Sequence, residues 1–249
     1  MKTKITFIFV AFAAAMMIFS ACKKDKHDLD IIPTNPSAPN GPVIEHEYMA
    51  GLGSHPGYPT GTTFVLPSHI SIIGDIRGGT DNKILQIDKQ TYQGPFPCYP
   101  QDKLWISYGT GTYVNLYIKF YNALPTLSTV VMPGGLIFID SADLNEHTGI
   151  YQKGYILQSD TIPVPAQDTA FACLRAYCLN HTLLPSNYNA VYYIGPVTNN
   201  PELNQITNIM ATKQQPVGEE FNIQHIIWNV TDYGLTLTTA DIQYLNSLP

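Results

Sequence analysis

The sequence predicts a mainly β fold, sandwich-like, that ends in short C-terminal helices, with an α+β arrangement as the alternative. Three observations lead there. Only 13% of the residues are charged while the chain carries 16 Tyr and 19 Pro, a composition suited to pleated surfaces and many turns. Val114, Leu116, Ile118 and Phe120 alternate with Asn115, Tyr117, Lys119 and Tyr121, the period-two pattern of a strand with one buried face. Towards the end the period changes, and Leu203, Ile206, Ile209 and Met210 recur at helical spacing.

At the N-terminus, Met1 to Lys4 form a short basic segment, and Ile5 to Phe19 run apolar without a charge. Such a core is too short for a permanent membrane span and reads as a signal peptide over residues 1–21. Phe19-Ser20-Ala21-Cys22 resembles the lipobox read by lipoprotein signal peptidase, and Cys22-Lys23-Lys24-Asp25 resembles the start of many lipoproteins of the Bacteroidota. The resemblance implies cleavage before Cys22 and lipid on its sulfur, with acyl chains such as palmitate making attachment effectively permanent. The location it implies is the outer membrane, facing either the surface or the periplasm. Residues 22–43 then carry Pro33, Pro36, Pro39 and Pro42 at every third position, which favours an extended polyproline tether. Residues 44–249 are the folded domain.

Cleavage removes Lys2 and Lys4 and takes the formal charge from −6 to −8. Only Arg77 and Arg175 supply guanidinium groups, so nucleic acid is excluded as a partner.

Within the domain, Leu136 to Ile139 form a short apolar run after Pro133-Gly134-Gly135, and Ala170 to Leu179 form another strand candidate after a Pro-rich stretch. Pro201 after Asn200 marks a helix start, and Thr238 with Asp241 forms a capping box for a last helix through Leu245. No nucleophile elbow, P-loop or zincin motif occurs, and Gly109-Thr110-Gly111 lacks the remainder of a dinucleotide fingerprint. The seven histidines show no metal-ligand spacing. Asp140, Asp143 and Glu146 read as a solvated turn because the EF-hand order is missing. The sequence therefore predicts no catalytic residues, no metal and no cofactor.

The mature domain keeps Cys98, Cys173 and Cys178. Cys173 and Cys178 are odd-spaced on one strand and point to opposite faces, so Cys98 with Cys173 is the favoured disulfide and Cys178 is left over. Cys178 stands in Tyr177-Cys178-Leu179, and later the chain reads Ile223-Gln224-His225-Ile226-Ile227-Trp228. These two motifs resemble those of the thioester domains of Gram-positive surface adhesins. There an aromatic or Leu precedes a cysteine, and a Gln is later flanked by apolar residues and followed by Trp. Asn180 departs from that pattern, where an acid is frequent. The resemblance implies an internal thioester between Cys178 and Gln224 that captures a nucleophile on a surface molecule. Tyr177 and Trp228 would shield the bond from water, and His225 would transfer protons. The chain then divides its functional readings three ways. The first is a lipid-anchored adhesion module, covalent if the bond forms, with a surface protein or glycan as target. The second is a non-covalent glycan- or peptide-binding lipoprotein that stacks its ligand on Tyr92, Tyr99 and Tyr108. An envelope enzyme ranks last.

Overall fold

The computed structural model describes residues 46–79, 105–143, 149–214 and 218–249. Cys22, the proline tether, Cys98, Tyr92, Tyr99 and Glu146 lie outside the described residues.

The alternating segment forms one of the two long strands on which the fold turns. It is β5 (Val114–Asn122), and it runs antiparallel to β10 (Thr169–Cys178) over eight register pairs, from Thr169 opposite Tyr121 to Ala176 opposite Val114. From these two strands the sheet closes on itself. β3 (Ile76–Gly79) pairs with β5, β11 (Val191–Thr198) with β3, β7 (Leu136–Asp140) with β11, β8 (Gly154–Tyr155) with β7, and β10 with β8, every pair antiparallel. The result is a six-stranded barrel, not the sandwich expected from the pattern. A two-residue period shows which residues share a face but carries no information on whether a sheet stacks or closes. Three short strands extend the ring: β1 (Gly61–Thr63) on β11, β2 (Ile70–Ile72) on β5, and β4 (Ile106–Gly109), parallel to β10. A separate ribbon of β6 (Ser128–Met132) and β9 (Asp160–Val164) packs Val130, Met132, Ile162 and Val164 onto the barrel's inner core.

Strand alternation sorts the side chains into two cores. Val114, Leu116, Ile118 and Phe120 of β5 face inward, with Ala172, Leu174, Ala176 and Cys178 of β10. The outward residues are largely buried as well, which the one-faced reading of β5 missed: Tyr117 and Asn115 are covered, the first beside Trp105 and Cys173. Elsewhere the outer wall, with Ile137, Ile139, Tyr155 and Tyr177, is covered by three helices. These are α2 (Pro201–Met210), α3 (Glu220–Thr231) and α4 (Thr239–Ser247), which follow a short α1 (His46–Met49). The helix ends are those the sequence marks. Asn200 accepts from Leu203 N with Pro201 in the first turn, and Thr238 and Asp241 form a reciprocal capping box. Among the described residues no helix is long and apolar enough to cross a membrane.

Asp140 and Asp143 are not a solvated turn. Asp140 is buried and accepts from the backbone N–H groups of Ala142, Ile150 and Tyr151, while Asp143 pairs with the buried Lys153 at 2.5 Å. Both carboxylates tie the end of β7 to residues 150–153.

Candidate functional site

The site forms where β10 outruns its neighbour. β5 begins at Val114 opposite Ala176, two residues short of Cys178, so β5 offers no backbone partner to Cys178. A buried, unpaired N–H or C=O costs about 1–3 kcal/mol, so those groups need another partner. Gln224 of α3 supplies it. Its Oε1 accepts from Cys178 N at 2.8 Å, and its Nε2 donates to Cys178 O at 2.7 Å. The side-chain amide thus extends the sheet by one rung. Both residues are fully buried.

α3 can present Gln224 there because its faces divide the labour. Ile223, Ile226, Ile227 and Val230 pack into the outer core. Gln224 and Trp228, one turn apart, share the stripe that leans over the barrel's end, and Trp228 packs against the inner core. The end of β10 is held just as firmly. Leu179 N donates to Lys153 O at 3.1 Å and Gly53 N donates to Leu179 O at 3.0 Å. Asn180 donates from Nδ2 to Gly53 O at 2.5 Å and accepts from Lys153 N at 3.3 Å. Gly53 has φ of +53°, and a Cβ there would sit 2.0 Å from Thr231 O, so only glycine lets the α1 loop fit between β10 and the C-terminal end of α3.

The Cys178 thiol is strongly perturbed. Burial is the largest cause and pushes its pKa up to about 12; the N–H groups of Trp228 and Asn180 oppose the rise, and the charge of Asp232 adds to it. Asn180 N donates to Sγ at 3.3 Å. The Trp228 indole N–H acts on the sulfur without full hydrogen-bond geometry, and Nε1 has no other partner of good geometry among the described residues. At neutral pH the sulfur is therefore a protonated thiol. It becomes a nucleophile only if a neighbouring group takes its proton.

Aromatic rings cover this corner. Trp228 contacts Tyr113 at 5.2 Å between centroids, His225 at 5.4 Å and His181 at 5.8 Å. His225 in turn stands edge-on to Phe221, and His181 lies beside Tyr233. Phe221 and Tyr233 are more than half exposed.

The structure thus brings together Cys178, Gln224, Trp228 and His225 of the sequence-predicted site. Tyr177 is separated from them. Being next to Cys178 on a strand, it projects to the opposite face, where its hydroxyl lies 3.1 Å from Thr110 Oγ1 among the residues under the helices. Tyr113, from the segment leading into β5, stands beside Trp228 instead. His225 is exposed, and its partial burial lowers its pKa. Cys173 lies on the face opposite Cys178, as the spacing predicts; its expected partner, Cys98, is outside the described residues. Tyr108, expected as a stacking surface, is only partly exposed and packs against the inner core.

Sequence reasoning missed Tyr113, His181 and Asp232. His181 follows Cys178 by three residues and Asp232 follows Gln224 by eight, proximities that signal nothing until β10 and α3 are packed together. Among the described residues no cluster of three or more His, Cys, Asp or Glu side chains is arranged to hold a metal ion. Comparison with protein-family models, with curated proteins and with solved structures gives no match.

Proposed function

We propose that this chain is a lipid-anchored cell-envelope adhesion module in which Cys178 and Gln224 close an internal thioester that captures a surface nucleophile. The observation that supports it is the pair of hydrogen bonds between the Gln224 carboxamide and the main chain of Cys178. They hold the acceptor carbon beside the residue that bears the sulfur. The Cys178 N–H on Oε1 stabilises the oxyanion that forms when Sγ adds to Cδ, the role of a preorganised donor. The step balances within the chain: an S–C bond forms, the C–N bond of Gln224 breaks, and the thiol proton leaves with nitrogen as ammonia. Complete burial keeps water from the acyl carbon, and Trp228 and Tyr113 pack together over this corner.

The test is labelling with methylamine. The full-length protein takes it up at Gln224 and exposes one new thiol at Cys178. Cys178→Ala and Gln224→Ala each abolish uptake, while Cys173→Ala leaves it in place. A protein that never incorporates methylamine has no thioester.

A second reading is favoured by Phe221 at 55% and Tyr233 at 57% exposure, packed on His225 and His181, the two imidazoles that flank Trp228. In it the same aromatic face binds a glycan or peptide non-covalently, and Gln224 acts only as a tie. Anchoring through Cys22 is common to both. Cys22→Ser should move the protein from the membrane to the soluble fraction, and full retention in membranes would refute the anchor.

A further inference from the structure

His181 stands apart from the seven histidines' bland background because a buried carboxylate holds it. Its Nδ1 lies 3.0 Å from Asp232 Oδ1, and the Asp232 side chain is 4% exposed against 39% for His181. The same oxygen accepts from His181 N at 3.1 Å, and Asp232 Oδ2 accepts from Thr231 Oγ1 at 3.2 Å. A carboxylate only accepts, so Nδ1 carries the proton of the neutral ring and Nε2 is the basic atom. A buried acid that fixes the tautomer of a half-exposed imidazole is the arrangement used for proton transfer. The ring packs on Trp228, whose indole N–H acts on the Cys178 sulfur, and Asp232 is near enough for its charge to bear on the same thiol.

We propose that His181, oriented by Asp232, is the proton-transfer group that lets the Cys178–Gln224 acyl bond react with hydroxyl groups, so that the captured ligand is a glycan; this rests on the thioester reading above. A hydroxyl is a weak nucleophile that must lose its proton as it attacks. His181 Nε2 takes that proton while the hydroxyl oxygen bonds to Cδ of residue 224 and the C–S bond breaks. The imidazolium then returns the proton to Sγ, which leaves as the neutral thiol its buried setting favours. The products are an ester at residue 224 and a free Cys178 thiol, and no further reactant is needed. The unprotonated fraction of an amine attacks through its nitrogen lone pair without a base, so an amine has less need of His181. Exposed Tyr233, packed on His181, and Phe221, packed on His225, supply rings suited to the apolar face of a sugar.

The experiment compares two nucleophiles on the full-length protein, methylamine and glycerol, with a methyl pyranoside as the glycan probe. Adducts are read by mass on the peptide that contains Gln224. Wild type should form all three. His181→Ala and His181→Gln should lose glycerol and pyranoside capture by about a hundredfold, the scale of general acid–base catalysis, while methylamine capture falls far less. Asp232→Asn, which misorients the ring, should lower hydroxyl capture in the same direction. Retained methylamine capture shows that the variant is folded with its bond intact. Equal rates for wild type and His181→Gln with glycerol would overturn the proposal, as would equal losses in both arms. A wild type that captures methylamine but no hydroxyl would overturn it and leave amine chemistry. No methylamine capture by wild type would overturn both the thioester and this extension.

Discussion

The two sides of α3 hold the molecule together by different means. Towards the outer core, Ile223, Ile226, Ile227 and Val230 fill volume against Ile137, Ile139 and Tyr155 with no directional bond among them. Towards the barrel's end, Gln224 makes two hydrogen bonds to one residue, and its neighbours Asn180 and Asp232 are likewise buried polar groups with named partners. Volume is interchangeable among apolar residues, whereas a paired amide is not. The contrast teaches where identity carries chemistry, because only on the second side does a change of element, with shape retained, undo the arrangement.

The largest effects should come from breaking either side. Ile227→Ala leaves a cavity in a fully buried position and should cost about 2–5 kcal/mol by denaturant unfolding. Ile227→Leu, which keeps the volume, should cost less than about 1.5 kcal/mol. On the second side that rescue should fail. In a Cys178→Ala background, where the Gln224 amide stays intact, Gln224→Met keeps much of the shape but strands two buried backbone groups, at about 1–3 kcal/mol each. If Gln224→Met were as mild as Ile227→Leu, the distinction between the two sides would be lost.

Gly53→Ala sharpens the comparison further, since it touches neither core but forces the α1 loop away from Thr231 and from the amide of Asn180. We expect a loss of about 1–3 kcal/mol, the scale of backbone strain at such positions, with reactivity at Cys178 altered as well. A neutral outcome would mean that the loop does not hold the site.

A smaller effect concerns pH. In protein with the bond open, burial keeps the Cys178 pKa near 12, above the ordinary thiol value of 9.0. The folded state therefore holds that proton more tightly than the unfolded chain. The stabilisation is fully present below about pH 9 and is lost as pH rises towards about 12. Unfolding followed over that range should fall more steeply for the open wild type than for Cys178→Ala. Parallel curves would contradict a buried thiol.

How much of this was legible in the sequence differs between the same two sides. The helix spacing, the Asn200 and Thr238 caps and the inward stripe of β5 rest on local periodicity and could be read directly. Gln224 and Trp228 on one helical stripe followed from their separation by one turn. The barrel did not, because closure depends on β10 pairing with both β5 and β8, a long-range fact. Tyr177 does not shield the site as expected, because a strand sends neighbours in sequence to opposite faces. The His181–Asp232 pair was invisible for a related cause: its members are brought together only when the end of β10 meets the end of α3.

The central claim is that Cys178 and Gln224 are joined. The most direct measurement is the mass of the peptides released by mild, non-reducing digestion of the native full-length protein kept free of amines. The expected result is one covalently linked species containing both residues, lighter than the sum of its two peptides by one ammonia, which methylamine separates. Two separate peptides of unmodified mass, with a free thiol on Cys178 and an intact amide on Gln224, would contradict it.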